Sequence, residues 1–148
     1  MLSVALLLAV ALVPATLAQA TPLLEKSPIV IDSCDANFEN PRNREYVAVG
    51  ISFHNASATT ATAVRFEIQM TDKDDLVLQR ENEAIAGKFA SGTRVVPKRG
   101  ALSKLYVFQS AVASSPAWEI RNAHGFDVAH IRCTIESATF ANGTSWGA

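Results

Sequence analysis

The segment Ala63-Val64-Arg65-Phe66-Glu67-Ile68-Gln69-Met70 carries the strongest pattern in the chain. In extended backbone successive side chains point to opposite faces, so Val64, Phe66, Ile68 and Met70 share one face, while Ala63, Arg65, Glu67 and Gln69 share the other. One face is bulky and apolar and the other charged, as in a strand with one side in a core and one in water. Upstream, Val47, Val49, Ile51 and Phe53 alternate with Tyr46, Ala48, Gly50 and Ser52 in the same way. The polar stretch Asn55-Ala56-Ser57-Ala58-Thr59-Thr60 joins these two strands as a turn. Downstream, Asp72-Lys73-Asp74-Asp75 interrupts the pattern, and Leu76-Val77-Leu78 can return as the partner strand of a hairpin.

Further strands are expected at both ends. Ile29-Val30-Ile31 leads to Cys34, and a short Arg94-Val95-Val96 segment stops at Pro97. Gly87 to Gly92 reads as a loop around Phe89, Leu102 to Phe108 as a strand, and Ala111 to Ala117 as a small-residue helical turn. Phe126 to Ile135 is expected to form the last long strand, with Ala129, Ile131, Cys133 and Ile135 on one face. Asn142-Gly143 is a tight-turn dipeptide before the closing Thr144-Ser145-Trp146. Seven or eight short strands and no convincing amphipathic helix imply an all-β protein: an Ig-like two-layer antiparallel β-sandwich, since a sheet with one apolar face must bury it against another.

The layout from Val47 to Phe108 resembles that of FxLYD-type domains, small sandwiches of exported bacterial proteins. The resemblance is carried by the strand ending in Asn55-Ala56-Ser57, the strand Val64 to Met70, the acidic turn at Asp72, and the loop Phe89-Ala90-Ser91-Gly92. Where the family has Phe-x-Leu-Tyr-Asp, this chain has Ile68-Gln69-Met70-Thr71-Asp72, and Asp75 takes the place of the usual turn glycine. The resemblance implies a sandwich fold and no particular activity, because function resides in sites rather than in folds.

Residues 1–20 hold no charged side chain, and Leu2 to Val13 is a compact apolar run followed by Pro14 and Ala18-Gln19-Ala20. This is the pattern of a signal peptide cleaved before Thr21, leaving a single domain over 21–148. No later run approaches the ~20 apolar residues of a spanning helix, so no stable membrane span is expected after cleavage. Export, to the periplasm or out of the cell, also fits the cysteines: Cys34 and Cys133 are the only two and read as one disulfide between the first strand and the penultimate one.

Few residues suggest chemistry. The chain carries no nucleophile elbow, phosphate-binding loop, HExxH helix or CxxC pair, so no catalytic residue, metal or cofactor is assigned. Asp72, Asp74 and Asp75 could supply oxygen ligands to calcium, but aspartates favour turns for their own hydrogen bonds. His54, His124 and His130 lack the spacing of a zinc site. Charge is uneven along a chain of net charge −1: Ala84 to Trp118 carries Lys88, Arg94, Lys98, Arg99 and Lys104 and no acid, next to an acidic stretch from Asp72 to Glu83. These five basic residues are a candidate anion-binding set, or solubilising charges on edge strands. Nucleic acid is not expected, because aromatic residues do not interleave with the basic ones. The overall expectation is an exported, non-enzymatic module that binds an unknown protein or an anionic surface ligand. Two rivals are a small secreted hydrolase or metal-dependent enzyme, with titratable groups converging in a pocket, and an assembly subunit that adds a strand at a long, unprotected sheet edge.

Overall fold

A computed structural model describes residues 26–38, 42–100 and 106–147. Eight strands follow one another: β1 (Ile29–Phe38), β2 (Tyr46–Asn55), β3 (Ala61–Thr71), β4 (Val77–Phe89), β5 (Arg94–Val95), β6 (Ala117–Arg121), β7 (His130–Phe140) and β8 (Ser145–Gly147). They form two antiparallel sheets. In one, β2 is central, with β1 along one side and both β5 and β6 along the other, β5 opposite Phe53 and His54 and β6 opposite Tyr46 to Gly50. The second sheet runs β4-β3-β7-β8.

The alternation seen in the sequence fills the space between the sheets. Val47, Val49, Ile51 and Phe53 of β2 face Val64, Phe66, Ile68 and Met70 of β3, and all eight are fully buried. Phe53 is the hinge of an aromatic cluster: its ring centroid lies 5.4 Å from that of Phe66 and 5.3 Å from that of Phe89, while Phe66 lies 5.7 Å from Trp118. Tilted and edge-to-face rings at such spacings add about 0.5–1.5 kcal/mol per pair beyond the area they bury. Cys34 of β1 and Cys133 of β7 are disulfide-bonded with Cα atoms 6.0 Å apart, so the expected bridge joins the two sheets through the first strand and the penultimate one.

Several expectations from the sequence are corrected. The segment read as a loop from Gly87 belongs in part to β4, which continues through Phe89; Phe89 is 5% exposed and its burial against Phe53 extends the strand. Ala117 to Arg121 form a strand, not the end of a helical turn, because Trp118 and Ile120 bury against the core at alternate positions. Phe126 does not begin the last long strand. Gly125–Asp127 make a 3-10 turn, Phe126 and Ala129 are exposed, and pairing starts at His130, with Ile131, Cys133 and Ile135 facing inward as expected. Of the stretch expected as the strand Leu102 to Phe108, residues 102–105 lie outside the described ones, and among the described residues Tyr106 forms a bridge with Arg99. The signal-peptide segment lies outside them as well.

The second face of β2 is covered too: Ala48 and Ser52 are buried and so is Gly50. Described residues between β5 and β6 cover it: Ile51 N–H to Pro116 O at 2.9 Å extends the β2–β6 ladder, and Val107 N–H to Lys98 O at 2.8 Å closes the covering segment on itself. Tyr106 lies so near Gly50 that a β-carbon there would fall 2.6 Å from its ring, so glycine is what lets the covering segment close down.

Candidate functional site

β4 forms one edge of the second sheet, and its inward row reads Gln79, Glu81, Glu83, Ile85, because these residues pair with the inward-facing Met70, Ile68, Phe66 and Val64 of β3. Three polar side chains therefore point toward the gap between the sheets. Gln79 closes one end of that gap, its side-chain amide donating to Arg121 O at 2.8 Å and its amide oxygen accepting from Ala123 N–H at 3.1 Å. It also donates to Glu81 at 2.7 Å, and Ile85 joins the core at the other end of the row. The Glu83 side chain has no hydrogen bond or ion pair among the described residues.

A lateral cleft of about 340 Å³ opens here, lined by Glu83 on one side, Ala117, Trp118 and Glu119 of β6 on the other, and Phe108, Gln109 and Ser110 above. The last three are held against β6 by Gln109 N–H to Ala117 O at 2.8 Å and turned by Ala111 N–H to Phe108 O at 2.9 Å. Burial pushes the Glu83 carboxyl above the ordinary glutamate range, and the neighbouring Glu81 carboxylate pushes it further the same way. Among the described residues no basic side chain lines the cleft. On its wall Trp118 is 6% exposed, and its indole N–H is buried without an acceptor among the described residues. An ionisable group shifted by burial, standing on a cleft whose wall includes Trp118, marks the part of this molecule best suited to a ligand.

A second cleft, of about 300 Å³, lies at one end of the sandwich between Lys26, Pro28, Ser57, Thr59, Phe140, Thr144, Ser145 and Trp146. Its hydroxyls are partly consumed locally: Ser57 Oγ donates to Asn55 Oδ1 and Thr59 O, and Thr144 Oγ1 donates to Asn142 Oδ1. Trp146 packs against the core.

The described candidate anion-binding residues are spread over β4, β5 and the covering segment. Lys88 is exposed on β4. Arg94 on β5 pairs with Asp32 at 3.3 Å, and Asp32, the extra residue of a bulge in β1, also meets His54 at 2.8 Å. Lys98 is exposed in the covering segment, with its backbone N–H on Ser115 Oγ at 3.0 Å. The Arg99 guanidinium lies 4.7 Å above the Tyr106 ring. Lys104 is outside the described residues. Two of the five thus already have a partner within the chain.

Of the three aspartates of the β3–β4 turn, Asp72 serves the turn itself, its Oδ1 accepting from the N–H groups of Asp74 and Leu76 at 2.8 and 2.9 Å, while Asp74 meets Lys73 at 2.8 Å and Asp75 meets Arg132 at 3.7 Å. No group of three metal-ligating side chains gathers among the described residues, and no helix there is long and apolar enough to cross a membrane. Reading the sequence alone missed Glu83 and Glu119; the available signal was that Gln79, Glu81 and Glu83 fall in phase with Ile85, which places carboxylates on the apolar side of a strand. The molecule is a two-sheet antiparallel β-sandwich with a lateral cleft beside Glu83. No family model, curated protein or solved structure matches the chain.

Proposed function

We propose that this chain is an exported, non-catalytic binding module whose ligand enters the cleft between β4 and β6. The reading rests on Glu83: a partly buried carboxyl left without a partner costs stability, and it stands in a cavity within the size range of small-ligand sites. Export is supported by the leader-like residues 1–20 and by the disulfide, a bond that persists in oxidising compartments. The FxLYD resemblance belongs to the same proposal.

A hydrolase gains less support, because acid–base work by a carboxyl pair needs two groups acting at one reacting position. The Glu83 carboxyl responds to Glu81 on its own strand, not to Glu119 across the cleft. Strand addition is disfavoured at β4 by its inward carboxylates and at β1 by the bulge at Asp32, both of which discourage edge-to-edge pairing. An anionic ligand would have to compete with Asp32 for Arg94.

The test is a nuclear magnetic resonance titration of the 15N-labelled full chain with a fragment set of small amines, sugars and organic acids. Shifts confined to Glu83, Ser110, Glu119 and the Trp118 indole N–H support the cleft; shifts centred on Lys98 and Arg99 with organic acids would replace this reading with the anionic one.

A further inference from the structure

We infer that the group admitted to this cleft is a cation, a protonated amine or guanidinium, seated on Glu83 beside the Trp118 and Phe108 rings; the inference rests on the cleft reading above. Glu83 points into the cleft with Glu81 next along its strand, Glu119 contributes to the lining from the outward face of β6, where it is exposed, and no basic residue lines the cleft among the described residues. Basic side chains nearby are engaged elsewhere: Arg80, on the opposite face of β4, pairs with Glu67 at 3.2 Å, and Gln79 rather than a cation meets Glu81. A protonated amine at Glu83 would supply the missing counter-charge in a partly dehydrated site, where such hydrogen bonds are about twice as strong as neutral ones. Phe108 and Trp118 add ring surfaces that attract cations. A basic side chain of a peptide meets this demand for a counter-charge.

Inward carboxylates on an edge strand can also serve simply to prevent sheet pairing. That role accounts for the inward carboxylates Glu81 and Glu83 but not for a cleft beside Glu83 lined by Phe108 and Trp118, and the two roles differ in what they predict for ligands.

The experiment compares N-acetyl-arginine methylamide with the citrulline analogue, which replaces guanidinium by neutral urea at nearly the same shape. Binding to the full chain is followed at the Trp118 indole resonance, assigned with a Trp146→Phe variant, in wild type, Glu83→Gln and Glu119→Gln. Wild type is expected to bind the arginine probe saturably and to prefer it to citrulline by about tenfold, the effect of one charge-assisted hydrogen bond. Glu83→Gln should remove most of that preference, and Glu119→Gln a smaller part. Lowering the pH until Glu83 protonates should weaken the arginine probe alone. Equal binding of the two probes, or a preference that survives Glu83→Gln in a variant that melts no lower than wild type, overturns the cationic ligand and leaves the cleft as a binding site. If neither probe moves the indole resonance while both shift residues elsewhere or none, the cationic ligand and the cleft reading fall together.

Discussion

Replacing both bridge cysteines, Cys34→Ala with Cys133→Ala, removes a link that spans 99 positions of sequence and joins β1 to β7. In the chain-entropy treatment, closing a loop of about 100 residues disfavours the unfolded ensemble by up to about 4.7 kcal/mol, and measured losses in small secreted domains run from about 2 to 5 kcal/mol. Both cysteines are only half-buried, so little of the loss should come from a cavity. At roughly 4 °C per kcal/mol for a domain of this size, Tm should fall by about 8–20 °C. The assay is guanidinium unfolding followed by tryptophan fluorescence, since Trp118 is buried in the fold and exposed on unfolding. The midpoint should drop, and the slope m should rise because the uncrosslinked unfolded chain exposes more surface. Reduction of the wild type before unfolding should reproduce both changes. A loss under about 1 kcal/mol with unchanged m would show that the sheets do not depend on the bridge, and the entropic account of this fold would be wrong.

Asn55 is fully buried, its amide donating to Thr59 O and Phe89 O and its oxygen accepting from Ser57 N–H and Oγ–H; Asn55→Ala strands these partners and should cost about 2–4 kcal/mol in denaturant melts. Gly147 has a positive φ of 89°, and a β-carbon there would lie 2.2 Å from Glu136 O. Gly147→Ala should therefore detach β8, seen as rapid amide exchange at Ser137 and Thr139 while β2 and β3 stay protected. Glu83→Gln should stabilise the protein at neutral pH and weaken any cationic ligand. Its sign follows from the carboxyl's raised position: burial disfavours the ionised form, so the stability of wild type is fullest below the ordinary glutamate range and falls as pH rises through the native titration. The gain in Tm from Glu83→Gln should thus be larger at pH 7 than at pH 4, and a gain independent of pH would contradict the assignment.

Alternation with period two is local and energetic at once: a strand such as Val64 to Met70 has one solution that hides its apolar side chains, so the core residues of β2 and β3 and the need for two layers can be read directly from the sequence. Cysteine count and position similarly announced the bridge. Short strands were harder. Trp118 and Ile120 are apolar at alternate positions for only five residues, too few to distinguish from a turn until β2 offers them a backbone ladder. Phe89 became strand rather than loop because Phe53, 36 positions earlier, gave its ring a place to bury. The cleft belongs entirely to tertiary structure. Glu83 and Glu119 are 36 residues apart and unremarked in any motif, and they share a cavity only because β4 and β6 end as facing edges of opposite sheets. Period and composition act along the chain and settle which faces are buried; the chemistry of the cleft depends on the distances between edges, which the packing of the two sheets sets.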